Sequence, residues 1–226
     1  MGVGVVVFPG SNCEQDCLRA LGGLGARPEL VWHQETRLPD SDIVILPGGF
    51  AHGDYLRTGA IARFSPIMEA VRRHADDGGL VIGICNGFQI LCEVGLLPGA
   101  MRKNSGLKFL CKWVDLRVEN PNTAFTRRAP TERPLRMPIN HFEGNWYCDA
   151  TTLDRMRASD QIVLRYVGNP NGSLDDAAGI CNEAGNVLGL MPHPERACEA
   201  LLGSEDGATI FASMLEHVAS SAPSRV

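Results

Sequence analysis

Three short apolar runs punctuate the first 85 residues: Val3–Phe8, Ile43–Leu46 and Leu80–Ile84. None alternates with polar residues, so each predicts a strand covered on both faces. The segments between them change period. Ser11 or Asn12 is placed to cap a helix reaching about Leu24. Ala62–Ala75 and Asn86 to about Val94 also read as helices. Strands alternating with helices predict βαβ units. The expected fold is α/β, a doubly wound, mostly parallel sheet with helices on both faces. The second half differs. Lys112–Val118, Arg136–Ile139, Gln161–Tyr166, Ala178–Cys181 and Val187–Leu190 read as strands separated by turns. The turn at Asn182–Asn186 suggests a hairpin, so antiparallel hairpins are expected there. A last helix, about Gly207–Val218, closes a single domain expected over residues 1–219. Residues 220–226 are expected to form a flexible tail.

Composition sets limits on function. The 226 residues are 44% hydrophobic and 21% charged, with a formal net charge of −5. Such a chain is neither disordered nor fibrous, and it has no global field for nucleic acid or anionic membrane. The N-terminus lacks the basic flank of a signal peptide, and no apolar run approaches the ~20 residues of a membrane span. A cytoplasmic protein is expected, with its eight cysteines reduced. Cys13-x-x-x-Cys17 has no second ligand pair at zinc spacing, so no metal is expected. Charge is uneven: residues 102–136 hold nine basic and three acidic side chains. That segment is either a solvated face or a docking surface for an acidic partner.

The sharpest chemical signal is Gly83-Ile84-Cys85-Asn86-Gly87 at a strand-to-helix junction. Small flanking residues permit the tight turn of a nucleophile elbow. A helix starting just past Cys85 favours thiolate, and the Asn86 N–H points where an oxyanion would form. The other reading is a buried core cysteine. His193 follows in Met191-Pro192-His193-Pro194-Glu195. Pro194 favours an extended His193, which puts Glu195 on the same side, able to orient the imidazole. Cys85, His193 and Glu195 are therefore a candidate catalytic triad. The Pro47-Gly48-Gly49-Phe50 turn ends the second strand and is placed to supply a second oxyanion donor. Gly48 and Gly49 can adopt either sign of φ, so a peptide flip there could switch that donor.

These motifs resemble class I (triad) glutamine amidotransferases, which are flavodoxin-like. Phe8–Glu14, Pro47–Phe50 with Gly53–Arg57, Asn169–Ser173 and Gly179–Arg196 extend the resemblance to the PurQ family, across residues 3 to about 215. That family comprises the glutaminase subunits of phosphoribosylformylglycinamidine synthase in purine biosynthesis. The resemblance implies that Cys85 attacks the side-chain amide of glutamine and that ammonia passes to a partner, PurL. PurL would use ATP to convert formylglycinamide ribonucleotide to the amidine, and a small subunit, PurS, would bridge the two. ATP-binding and magnesium are implied for the partner subunit, and this chain has no Gly-x-x-x-x-Gly-Lys loop. Gln89 and the loop at His141 and Phe142 are the implied glutamine contacts, with Gly48, Gly49, Phe50 and Asn86 around the oxyanion. Where that family usually has His-Gly-Glu-Gly, this chain has His141-Phe142-Glu143-Gly144. The alternatives are another hydrolase of the superfamily, such as a γ-glutamyl hydrolase or a PfpI-like peptidase, or a non-catalytic regulatory module with a reactive cysteine.

Overall fold

The computed structural model describes residues 1–221. Its elements run β1 (Gly2–Val7), α1 (Glu14–Gly23), β2 (Arg27–Trp32), β3 (Ile43–Leu46), α2 (Ile67–Asp76), β4 (Leu80–Ile84) and α3 (Asn86–Glu93). There follow β5 (Ala100–Arg102), β6 (Leu110–Val118), β7 (Leu135–His141), β8 (Asn145–Tyr147), α4 (Ala150–Ala158) and β9 (Ile162–Tyr166). The chain continues through β10 (Ala177–Cys181), β11 (Val187–Leu190) and α5 (Ala208–Ser221). Nine strands form one sheet in the order β2-β1-β3-β4-β11-β10-β9-β6-β7; β5 and β8 pair separately. From β2 to β11 every neighbour is parallel, and from β11 to β7 every neighbour is antiparallel. The α/β expectation holds, with the parallel half and the antiparallel continuation in one sheet.

The fully apolar runs became the sheet centre. All residues of β3, β4 and β11 are buried. β2 went unpredicted because it is an edge strand in which only Val31 is buried and Pro28 sits where a central strand would need a donor. α4 was also missed; its Asp149 cap accepts from Thr152 N–H, but Ala150–Ala158 buries only Leu153 and Met156 and shows little apolar stripe.

Three boundaries depart from expectation. Neither Ser11 nor Asn12 caps α1; Cys13 occupies that position without a side-chain bond, and Ser11 Oγ turns back to accept from Phe8 N–H. The helix expected over Ala62–Ala75 is broken, because Ser65 is extended before Pro66, so α2 starts only at Ile67. The last helix continues to Ser221, so residues 220 and 221 are helical rather than tail; residues 222–226 of the expected tail lie outside the described residues. Among the described residues no helix is long and apolar enough to cross a membrane.

One register positions the chemistry. β4 and β11 are adjacent and parallel, with Gly83 opposite Gly189 and Ile84 opposite Leu190. The segments that leave their carboxyl ends, Cys85 on one side and Met191–His193 on the other, therefore emerge together. Cys85 N–H donates to Leu190 O at 2.8 Å, and His193 N–H to Pro138 O of β7 at 2.9 Å. The crevice beyond the carboxyl ends of parallel strands is where open α/β sheets bind ligands.

Candidate active site

Cys85 sits at the N-cap of α3 with φ 50° and ψ −103°. Positive φ on a non-glycine residue is strain of about 1–3 kcal/mol, tolerated where the surroundings over-determine it. They do so here. A β-carbon on Gly83 would lie 2.5 Å from Leu91 Cδ1 and 2.6 Å from Gly87, and one on Gly87 would collide with Leu46 O. The elbow thus needs both glycines so that α3 can lie against β3 and β4. Cys85 is 5% exposed, and its Sγ stands 3.7 Å from Asn140 O.

His193 and Glu195 are both buried, and His193 Nδ1 lies 2.6 Å from Glu195 Oε1. The local route differs from an extended chain: His193 is extended, but Pro194–Arg196 forms one 3-10 turn that curls Glu195 back to the ring. With Nδ1 engaged, Nε2 remains; it is buried and makes no hydrogen bond within the chain. Burial works against a charged imidazole. Glu195 and then the Cys85 sulfur outweigh it, holding His193 well above the ordinary histidine value. These charges stabilise the imidazolium that forms when the thiol proton moves to the ring.

A second cysteine joins this pair. Cys13 Sγ is 3.9 Å from His193 Nδ1 and 3.1 Å from an Arg196 nitrogen, while Arg196 Nε donates to Asp16 at 3.1 Å. Burial raises the Cys13 thiol, so it stays neutral. Cys13, His193 and Glu195 place one ligand atom each within 4.8 Å. The 2.6 Å contact between imidazole and carboxylate is a hydrogen bond, too short for two ligands around one ion.

The glycine turn is built for this neighbourhood. A β-carbon on Gly48 would lie 2.7 Å from His193 Cε1 and 3.0 Å from Cys13 Sγ. Gly48 therefore makes room for the base. Gly49 has φ 146°, and its β-carbon would meet Gly10 O at 2.6 Å. Gly48 O accepts from Asn12 and Cys13 N–H, and Phe50 N–H donates to Gly10 O. Those bonds hold the Gly48–Gly49 peptide in one orientation.

A cavity of about 130 Å³ opens beside Cys85. Of the sequence-predicted residues, Gly49, Phe50, Cys85, Gln89, His141 and Phe142 line it. Asn86 stands behind, its side chain bridging Ala51 N–H, Asp54 and Gln89. Gln89 is committed internally, accepting from Asn86 and donating to Glu143 O. Phe142 lies outside the positive-φ region, so its loop needs no glycine there; Gly144 does, because a β-carbon would strike the His141 ring. Sequence reasoning assigned no role to Asp54, Thr58, Asn140 or Glu143, which also line the cavity. Gly53–Arg57 was visible as a motif, but nothing in it said that the Asp54 carboxylate faces Glu143.

The basic segment 102–136 is partly neutralised. Arg117, Arg128 and Arg133 pair with Glu119, Glu216 and Asp206, and Arg102 and Arg136 lie over Tyr147 and Trp113.

A family profile described as a CobB/CobQ-like glutamine amidotransferase domain matches residues 1–207. PurQ subunits of phosphoribosylformylglycinamidine synthase from Salinibacter ruber and Koribacter versatilis are each 54% identical over 225 residues. These alignments cover 95% of this chain and 96% and 97% of theirs. The chain belongs to the PurQ family of glutamine amidotransferases. A chain in the structure of PurLQS from Thermotoga maritima superimposes with a TM-score of 0.89 at 47% identity, covering 96% of this chain and 98% of that one. A glutamine amidotransferase from the same organism, 17% identical, gives a TM-score of 0.65 over 98% of this chain and 99% of its own, and shows the fold alone. The elbow, the His193–Glu195 pair and the cavity beside Cys85 thus sit in a PurQ framework.

Proposed function

We propose that this chain is the glutaminase subunit of a phosphoribosylformylglycinamidine synthase. The observation that carries the reading is the strained Cys85 elbow beside the buried His193–Glu195 pair, at the wall of a cavity of amino-acid size. His193 Nε2 takes the Cys85 proton as Sγ attacks the amide carbon of glutamine. The oxyanion forms against the Asn86 N–H at the start of α3, with the Gly49 N–H as second donor. His193 returns the proton to the departing nitrogen, and ammonia leaves a γ-glutamyl thioester. Water, deprotonated by the same imidazole, releases glutamate and restores the thiol. Glu195 holds the ring and balances the imidazolium.

Ammonia passes to a PurL subunit, where ATP and magnesium are bound and formylglycinamide ribonucleotide is converted to the amidine; PurS completes the assembly, and the complex acts in the cytoplasm. Tyr55, Leu56 and Phe64, exposed on the segment that follows the cavity-lining Phe50, supply the apolar surface that such a partner would cover. The test is Cys85→Ala in the assembled complex. Glutamine-dependent synthesis should be lost while synthesis from added ammonia persists. Glutamine-dependent turnover in that variant would overturn the assignment.

A further inference from the structure

The cavity beside Cys85 is rich in acceptors that have no matching cation. Asp54 and Glu143 both line it. Among the described residues neither carboxylate takes part in an ion pair, and the neighbouring Arg57 is spent on Glu93 through two bonds of 2.7 Å. The bonds they do receive are long: Asn86 Nδ2 to Asp54 at 3.4 Å and Thr58 Oγ1 to Glu143 at 3.3 Å. Burial and then the charge of Glu143 lift the Asp54 carboxyl to about 6.

His141 adds an independent observation. Asn104 Nδ2 donates to Lys108 O and His141 O, both at 2.9 Å, while its Oδ1 accepts from Gly144 N–H at 3.2 Å. These bonds fix the amide, so the atom 3.1 Å from His141 Nδ1 is an acceptor and Nδ1 carries the proton. Burial keeps the ring neutral, with its pKa down at about 3. Nε2 is therefore a bare lone pair. It is buried, finds no partner in the chain, and belongs to a residue only 2% exposed that lines the same cavity. Gln89 brings no charge, and one N–H of its amide is held by Glu143 O.

Three N–H donors and one positive charge are what this arrangement lacks, and an alkylammonium carries them. We propose that Asp54 and Glu143, with His141 Nε2 completing the acceptor set, bind the α-ammonium group of the substrate and so select free glutamine over γ-amides without that group. The assignment rests on the glutaminase reading and adds its specificity determinant. An unpaired, partly buried receptor is costly to leave empty, so an analogue lacking the cation is rejected more strongly than its size alone would require.

The experiment compares L-glutamine with glutaramate, the same amide without the α-amino group, as substrates of the complex assembled with the synthase subunit. Wild type should prefer glutamine by about 10²-fold or more in kcat/KM. In Asp54→Asn the glutamine KM should rise by about 10–100-fold while kcat falls no more than severalfold, and glutaramate kcat/KM should hold, so the preference collapses. Asp54→Glu should recover part of it, and Glu143→Gln should act in the same direction as Asp54→Asn. Equal losses on both substrates would mean that Asp54 only supports Asn86 and would overturn the proposal. So would a wild type indifferent to the α-amino group. A wild type that hydrolyses neither amide would remove the glutaminase reading, and this assignment with it.

Discussion

Asp54→Asn should make the protein more stable at pH 8 and leave it unchanged near pH 4. The carboxyl rises from 3.8 to about 6 in the folded chain because it is partly buried and faces Glu143. An acid whose folded pKa lies above its unfolded value is protonated in both states below about 4, so it costs nothing there. Between 4 and 6 the unfolded state loses its proton first, and stability falls as pH rises; above about 6 the full penalty is present. At 1.36 kcal/mol per pKa unit the rise is worth about 3 kcal/mol. The side chain is only partly buried, and solvent screening reduces this to about 1–2 kcal/mol. Asparagine keeps an oxygen for Asn86 and removes the charge. For a chain of this size the expected gain is about 3–6 °C in Tm at pH 8. The assay is thermal and urea unfolding of both forms at pH 4, 6 and 8, with equal m-values required. A gain independent of pH, or a loss at pH 8, would refute the electrostatic reasoning. Stability gained where binding is lost is the usual signature of a functional site held under strain.

The other predictions concern the base, its clearance and the partner. His193→Ala should lower glutaminase kcat by about 10²–10⁴, and Glu195→Gln should cost less, because one removes the proton carrier and the other only its orientation and counter-charge; near-normal turnover in His193→Ala would identify a different base. Gly48→Ala should keep the fold by circular dichroism yet lose at least about 10² in kcat, since the new methyl must displace His193 from 2.7 Å; full activity would show that the ring has room to shift. Turnover by the isolated chain should rise when the synthase subunit is added, and assembly should weaken with salt if Lys103, Lys108 and Lys112 of the basic segment dock there; salt-independent assembly would exclude that surface.

Much of this was legible in the sequence for a physical reason. Fully apolar runs such as Ile43–Leu46 and Leu80–Ile84 can lie only at the centre of a covered sheet, and the Gly83–Gly87 spacing fits only a cramped turn. Local chemistry therefore determined the central strands, the elbow and the His193–Glu195 pairing. β2, α4, the three-residue strands β5 and β8 and the break at Pro66 escaped because edge exposure, short length and a weak apolar stripe dilute the periodic signal, and because a proline delayed the start of one helix. What the tertiary structure alone decided is the meeting of distant segments. The β4–β11 register sets Cys85 beside His193. The approach of α1 puts Cys13 against His193 and ties down the Gly48 carbonyl. Folding brings the Asp54 carboxylate from the segment after β3 to Glu143 from the loop after β7, at a sequence separation of 89 residues. No local pattern encodes such a pair, because the repulsion that defines it exists only once the sheet has closed the distance.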